Sequence, residues 1–211
     1  MRKNSILAVQ LPAICPLRCT FCRTPEHNQG DSRKVIDAIN NFAPNSDEIY
    51  LTSNGETGLF VGFNKLVDTL IKQGKKVSVL CATPRSIIAG LSRVEISMNK
   101  FTKELAQLAI TKAQSLNIPI VISMVYNGED QDLEKIGKKY GVDAVLMRAL
   151  QKEGNSSISG GTTKFVRITS TFLGSCPVPA YKELEEFNEK KVICMNHQGE
   201  IVTYLGDPNN L

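Results

Sequence analysis

Short apolar segments alternate with amphipathic segments along most of this 211-residue chain. We predict six strands, at residues 6–11, 49–51, 77–81, 94–98, 118–125 and 142–147. The five segments between them have the apolar spacing or the capping residues of helices. Strands joined through a helix run parallel, because the crossover returns the chain to the edge where the first strand began. The alternation therefore predicts an α/β fold with a parallel sheet over residues 5–149.

Residues that can cap helices predict where each helical segment begins. We expect helix starts at Asp31 or Ser32, Thr57, Thr83-Pro84, Thr102 and Glu129. The second helix is expected to run to Gly74, the third to be short and end at Leu91, and the fifth to end at Tyr140.

The length of the chain limits how the sheet can close. A complete eight-stranded (β/α) barrel usually needs about 250 residues, so 211 residues predict a partial (β/α)6 TIM-like barrel. An open doubly wound sheet is the alternative that the sequence leaves open. We expect residues 1–149 to form this core. Residues 150–211 are expected to add a strand at 164–172, a helix at 180–189 and a hairpin of 192–195 with 201–205, closing the open side.

The composition is that of a globular domain without unusual charge. Apolar residues make up 42% of the chain, and the net charge is +4 with scattered Lys and Arg, which is typical of ordinary solvated surface. We therefore expect no nucleic-acid partner. The sequence has neither a run long enough to span a membrane nor a signal peptide, so we expect a cytoplasmic protein with reduced thiols.

Three cysteines with the spacing C-x3-C-x2-C, Cys15, Cys19 and Cys22, follow the first predicted strand. Three thiolates on one tight loop can hold three corners of a [4Fe–4S] cube and leave the fourth iron open to a small molecule. The alternative is a Cys3His zinc site completed by His27, although zinc sites more often use C-x2-C pairs separated by a long gap. A disulfide framework is not expected, since six cysteines are sparse in a chain of this length.

This loop resembles the cluster loop of the radical S-adenosylmethionine (radical SAM) enzymes, with Phe21 at the position of the family's aromatic residue. The resemblance implies a partial six-stranded barrel, a [4Fe–4S] cluster and S-adenosyl-L-methionine (SAM) bound at the open iron. It implies reductive cleavage of SAM to a 5′-deoxyadenosyl radical that abstracts hydrogen from the substrate. An electron donor such as flavodoxin or ferredoxin is then required.

The second predicted strand ends in Asn54-Gly55-Glu56, which is similar to the family's GGE motif with Asn54 in place of the first glycine. The resemblance implies a contact between this turn and the amino group of SAM. The chemistry is reasonable, because a carboxylate and backbone carbonyls accept from an ammonium group and Gly55 permits close approach.

Polar residues after later strands complete the predicted cofactor site. The resemblance implies ribose contacts by Ser97 and Asn99, which could equally cap a helix, and an adenine contact near Asn127. Arg148 ends the sixth strand, where it could pair with the methionine carboxylate, with a substrate anion or with a structural partner.

Three further cysteines, Cys81, Cys176 and Cys194, are open to several interpretations. They could bind a second cluster only if the C-terminal extension folds back over the barrel. Cys81 could alternatively donate a hydrogen atom to a substrate radical, or be a small buried apolar side chain.

Two catalytic functions and one non-catalytic function follow from these motifs. The first is direct radical chemistry on a small-molecule or peptide substrate. The second is activation of a glycyl-radical enzyme, whose activating enzymes have a cluster loop that resembles the Cys15-Pro16-Leu17-Arg18-Cys19 run. The third is a zinc-binding module, which would give Glu56 no role.

Overall fold

The computed structural model describes residues 5–19, 22, 30–53, 55–125, 131–148, 164–167, 191–196 and 198–205. The strands are β1 (Ser5–Leu11), β2 (Glu48–Ser53), β3 (Lys76–Cys81), β4 (Arg93–Ser97), β5 (Ile120–Val125), β6 (Ala144–Arg148), β7 (Lys164–Arg167), β8 (Lys191–Met195) and β9 (Ile201–Leu205). The helices are α1 (Ser32–Phe42), α2 (Phe63–Lys72), α3 (Lys103–Ser115) and α4 (Leu133–Tyr140).

Within the described residues all strands belong to one sheet, in the order β7-β6-β5-β4-β3-β2-β1-β8-β9. Strands β1 to β6 are parallel neighbours in the order in which the chain forms them. Right-handed crossovers that always move in one direction place every helix on the same face of the sheet. A doubly wound sheet instead reverses direction and places helices on both faces. The observed order therefore confirms the partial TIM-like barrel and removes the doubly wound alternative.

The face of the sheet that the helices cover is apolar throughout. Residues from α1, α2, α3 and α4 join one buried cluster with alternate residues of the strands, among them Leu7, Leu51, Val79 and Ile122. Folding removes the apolar side chains of this cluster from water. This burial is the main favourable contribution to the free energy of folding. We call this surface the helix-facing side of the sheet.

The intervening strand residues lie on the opposite surface, which we call the inner side. A small apolar cluster there contains Ile6, Ala8 and Tyr50. Buried polar residues surround it: the Tyr50 hydroxyl donates to Glu95 Oε2 at 2.7 Å, and the Ser78 hydroxyl donates to Glu48 at 3.0 Å. Arg93 lies 3.3 Å from the same Glu48 carboxylate. All of these residues except the partly exposed Glu48 are buried, although the four described helices pack on the other side, as expected for the interior of a curved sheet.

The C-terminal strands extend both edges of the same sheet. β7 pairs antiparallel with β6 at one edge. At the other, β8 pairs parallel with β1, and β9 pairs antiparallel with β8, as the predicted hairpin requires. The predicted helix at 180–189 and the end of the strand predicted at 164–172 lie outside the described residues.

Three of the predicted helix starts are wrong, and each error has a local cause. α2 begins at Phe63 after Gly62, whose φ of +84° suits glycine, whereas Thr57 only opens a short 3₁₀ turn. The segment at Thr83 is likewise one 3₁₀ turn, Pro84–Ser86, and not a helix. α4 begins at Leu133 because Asp132 caps it, accepting from the backbone of Lys135. The cap predicted at Asp31 is confirmed for α1.

Among the described residues, no helix combines the length and the apolar character needed to cross a lipid bilayer.

Candidate active site

The loops after β1, β2, β3 and β4 all leave the sheet at its carboxyl edge, because these strands are parallel. The cysteine loop follows β1, and Gly55 and Glu56 follow β2. In barrels of this kind, ligands bind at this edge, where loops vary without disturbing the core. The predicted site residues that the structure describes are therefore brought to one rim.

The turn after β2 packs directly against the segment that leads into the cysteine loop. The backbone N–H of Glu56 donates to the carbonyl of Ile14 at 3.0 Å. Gly55 lies so close that a Cβ there would sit 2.1 Å from the carbonyl oxygen of Ala13. Only glycine fits this approach. The position of Cys15, the next residue after Ile14, thus depends on the turn at Gly55.

The carboxylate of Glu56 is buried and joins the loop after β2 to the loop after β3. Its Oε2 accepts from the backbone N–H of Ala82 at 2.9 Å. Its Oε1 accepts from the hydroxyls of Thr83 and Ser86, each at 2.9 Å. A carboxylate has about four acceptor positions, and donors among the described residues occupy three of them. The predicted contact of Glu56 with an amino group stays a prediction.

The three cysteines of the loop are free thiols, each partly exposed. Burial, together with the neighbouring charges of Cys15 and Cys22, raises the pKa of Cys19 to about 11. Burial also raises the pKa of Cys15, with smaller contributions from Glu56 and Cys22, while a hydrogen bond with the Leu17 backbone lowers it. The thiolates therefore repel one another and need a bound cation to be held together in ionised form. In the described part of the chain no three Cys, His, Asp or Glu side chains converge around a single-ion site.

Asn99 lies in the loop after β4. A hydrogen-bond contribution from its side chain lowers the pKa of the Cys19 thiol, against the larger raising effect of burial. The carbonyl oxygen of the same side chain accepts from the backbone N–H of Phe101 at 2.8 Å. The Thr102 hydroxyl accepts from the backbone N–H of Asn99 and donates to the carbonyl of Ser97, each at 3.0 Å.

Cys81, at the end of β3, is buried on the helix-facing side. Burial raises the pKa of its thiol well above the ordinary value, and the nearby Glu56 charge raises it further. A buried neutral thiol of this kind behaves as a small apolar side chain, one of the interpretations that the sequence left open. Cys194 lies in β8 beside Ala8, and Cys176 lies outside the described residues.

The remaining predicted site residues are described in part. Ser97 ends β4, is partly exposed and is next to Ser123 of β5 in the sheet register. Arg148 ends β6 at the same edge, with its backbone described but not its side chain. Phe21, Asn54, Asn127 and the His27 of the zinc alternative lie outside the described residues.

Sequence reasoning missed Thr83, Ser86 and Thr102 as residues that organise the rim. The sequence predicts Thr83 and Thr102 as helix caps, and it gives Ser86 no role. Thr102 does precede α3, as predicted, but its hydroxyl also bonds within the rim. All three carry hydroxyl groups that are buried close to the carboxyl end of a strand. That combination is a usable signal, because a buried hydroxyl needs a partner and loop carbonyls and carboxylates supply one.

Solved structures of other proteins have this architecture. The chain resembles Streptococcus suis SuiB, a radical SAM enzyme, with a TM-score of 0.57 and 14% identity, covering 76% of this chain and 43% of that one. SuiB bound to the precursor peptide SuiA gives a TM-score of 0.54 with 13% identity, covering 72% and 40%. A structure of TYW1 with a lysine-pyruvate adduct bound gives 0.46 with 13% identity, covering 65% and 62%.

The chain therefore shares its fold with the SuiB structures, which confirms the fold that the resemblance of the cysteine loop implies. It spans about two fifths of the length of the SuiB chains that it matches. No family model and no curated protein sequence matches the chain.

Proposed function

We propose that this protein is a radical SAM enzyme that acts on a small-molecule or peptide substrate. The observation that supports the proposal most strongly is the contact between the two predicted motifs, the cysteine loop and the turn after β2. The cysteine loop after β1 and the turn after β2 touch through the Glu56–Ile14 hydrogen bond and the close approach of Gly55 to Ala13. A cofactor held by one motif would therefore meet the other without any rearrangement of the sheet.

The cysteine loop fits a [4Fe–4S] cluster in its donor chemistry. Cys15, Cys19 and Cys22 are free thiols on one loop. They are close enough that charge on one raises the pKa of another. Three thiolates leave the fourth iron of such a cluster open, and we assign that position to SAM. A cluster bound there would supply the electron that cleaves SAM reductively to a 5′-deoxyadenosyl radical, which abstracts hydrogen from the substrate.

The residues around the loop then bind and orient SAM. We assign the amino group to Asn54, Gly55 and Glu56, because a carboxylate and backbone carbonyls accept from an ammonium group. We assign the ribose to Ser97 and Asn99, the adenine to Asn127, the carboxylate to Arg148, and packing beside the cluster to Phe21.

The substrate and the electron donor are the least constrained parts of the proposal. SuiB has been solved with a precursor peptide bound, so a peptide is one substrate class to test beside small molecules. A flavodoxin or ferredoxin would supply the electron. Free thiols and an oxygen-sensitive cluster suit a reducing compartment, so we propose a cytoplasmic location.

The test is anaerobic purification and reconstitution with iron and sulfide, followed by reduction with SAM present and measurement of 5′-deoxyadenosine. We expect a brown protein with about four irons per chain that forms 5′-deoxyadenosine. Each of the variants Cys15→Ala, Cys19→Ala and Cys22→Ala should lose both iron and product.

Cys81→Ala is the matched control, because it removes a cysteine that lies in the apolar core and not on the loop. It should keep its iron and its product. A colourless wild-type protein that binds zinc and forms no 5′-deoxyadenosine would contradict the proposal and favour the zinc module. Loss of iron in the Cys81 variant at unchanged fold would point instead to a second cluster.

A further inference from the structure

We propose that Ser123, on the inner side of β5, binds a polar group of the substrate, and that the nearby Glu95 favours a group that donates hydrogen bonds, above all an ammonium group. The inference rests on the proposed function, because it concerns the substrate on which the radical would act. It assigns a substrate contact to two residues that the predicted cofactor site does not include.

The hydroxyl of Ser123 is buried without a hydrogen-bond partner among the described residues. The exposed fraction of Ser123 is only 4%. Its backbone carbonyl accepts from the N–H of Met98 at 2.8 Å, but in the described part of the chain no donor or acceptor reaches the hydroxyl. A buried hydroxyl that has lost water normally gains a partner, and each exception needs an explanation. At the rim of a barrel that binds ligands, a polar group of the ligand is that partner.

The other buried serines show that this is an exception. Among the described residues four serines are buried, and Ser123 alone has a hydroxyl with no partner. Each of the other three donates to a nearby acceptor: Ser46 to the carbonyl of Phe42, Ser78 to Glu48 and Ser86 to Glu56. The fold therefore satisfies its structural serines and leaves one hydroxyl over.

The sheet register places Ser123 beside the residue assigned to the ribose. Ser123 lies opposite Ser97 of β4 on one side and opposite Leu146 of β6 on the other. Strand neighbours in register present their side chains on the same face, about 5 Å apart. The 5′ carbon on which the proposed radical forms is bonded to the ribose, so the hydrogen that it abstracts has to lie next to the ribose. Ser123 is one strand further from the cysteine loop, where a substrate group can meet it.

Glu95 determines which kind of group is favoured there. It lies on the inner side of β4 two residues before Ser97, so its Cα is about 8 Å diagonally across the sheet from that of Ser123. Its carboxylate is buried and accepts from the Tyr50 hydroxyl at 2.7 Å. Because this hydroxyl is neutral, it does not cancel the charge of the carboxylate. A cation or another hydrogen-bond donor is therefore favoured nearby, and an anion is disfavoured.

The first experiment compares Ser123→Ala with Ser78→Ala in urea denaturation of the full chain. Each substitution removes one buried hydroxyl from the inner side at similar size. Ser78→Ala should lower the urea midpoint, because the hydroxyl bonds to Glu48 and to Ser92. Ser123→Ala should leave the midpoint unchanged or raise it. A decrease as large as that of Ser78→Ala would overturn the inference, since the hydroxyl would then be satisfied within the protein.

The second experiment measures binding of simple probes to the reconstituted protein, with SAM present to fill the ribose position and no reductant added. The probes are ethylammonium, ethanol and acetate. The readout is the 19F NMR signal of Tyr50 in protein labelled with 3-fluorotyrosine, assigned among the five tyrosines with Tyr50→Phe. Ethylammonium should shift this signal at the lowest concentration, ethanol at a higher one, and acetate should not shift it.

Three variants separate the contributions to probe binding. Ser123→Ala should weaken the binding of ethylammonium roughly fivefold, the size of one ordinary hydrogen bond. Ser78→Ala is the matched control and should bind as wild type does. Glu95→Gln keeps an acceptor for Tyr50 but removes the charge, so it should abolish the preference for ethylammonium over ethanol.

The failures of the inference and of the proposed function are distinguishable. Unchanged affinity in Ser123→Ala, a preference for acetate, or no shift with any probe would overturn the inference and leave the proposed function standing. A wild-type protein that assembles no cluster would contradict the proposed function. The urea comparison and a titration of the cluster-free full chain would then still test Ser123.

Discussion

The two sides of the sheet differ in chemistry although both are buried. The helix-facing side carries aliphatic residues at nearly every position, such as Leu51 and Val79. The inner side alternates with it along the same strands but carries a tyrosine, two glutamates, an arginine and serines, joined by hydrogen bonds and an ion pair. Neighbouring residues in one strand thus serve two different surfaces.

The difference shows how the fold and the site are separated. Apolar packing on the helix-facing side is non-directional and tolerates changes that conserve volume. Hydrogen bonds on the inner side and along the rim fix individual atoms, and they stabilise the fold only modestly once desolvation is included. Substitutions on the first side should therefore change stability, and substitutions at the rim should change the site.

The largest expected effect on stability is at Leu51, which is fully buried on the helix-facing side. Leu51→Ala should lower the free energy of unfolding by about 3 kcal/mol, because it removes apolar contact and leaves a cavity. Urea denaturation followed by circular dichroism measures this. Iron content per folded chain should be unchanged after reconstitution. A loss below about 1 kcal/mol would show that neighbouring residues of the helix-facing side move in to fill the cavity. The expected difference between the two sides would then not hold at this position.

Gly55→Ala should affect the rim most strongly. Its new Cβ would overlap the carbonyl of Ala13, so the segment before Cys15 has to move, at about 1–3 kcal/mol of stability and with a several-fold loss of iron binding. Gly74→Ala is the matched control: φ is +78° there and the space is open, so backbone strain of about 1–2 kcal/mol is expected with normal iron content. Equal iron content in the two variants would refute the coupling between the turn and the cysteine loop.

Tyr50→Phe is the counterpart of Leu51→Ala on the inner side, one residue away in β2. It removes the 2.7 Å hydrogen bond to Glu95 and should lower the free energy of unfolding by about 1–2 kcal/mol. A double-mutant cycle with Glu95→Gln should give a coupling energy of about 1 kcal/mol. If the two single substitutions have additive effects on the free energy of unfolding, Tyr50 and Glu95 are not energetically coupled. The hydrogen bonds of the inner side would then contribute less to stability than their geometry indicates.

The smallest effect is a pH dependence from Cys81. Burial raises the pKa of its thiol in the folded state, so the unfolded chain releases the proton first as the pH rises, and folded-state stability falls above the unfolded pKa near 9. Compared with Cys81→Ala, the wild type should lose about half a kcal/mol more between pH 7 and pH 9. Urea denaturation at both pH values measures the difference. Parallel pH profiles of the two proteins would show that folding does not raise the pKa of Cys81.

The strands and the cysteine loop could be predicted from the sequence because their signals are local. Apolar runs such as Ile120–Val125 and the spacing of Cys15, Cys19 and Cys22 are read within a few residues. The rim contacts could not be predicted, because their partners are distant in the chain. Glu56 bonds to residues 26–30 positions away. The sequence predicts Thr83 as a helix cap, because it does not show whether the hydroxyl will accept from a helix N–H or, as in the structure, donate to the Glu56 carboxylate.

The place of β1 in the sheet has a consequence for folding. Most neighbouring strands are also neighbours in the chain, so β1 to β6 can assemble through local contacts, which favours rapid formation. β1 also pairs with β8, where residue 5 lies opposite residue 191. During synthesis that edge of β1 stays unpaired until residue 191 and its neighbours in β8 have been made. The strand that leads into the cysteine loop is thus made long before its second neighbour, so metal loading is expected to follow the docking of the hairpin of β8 and β9.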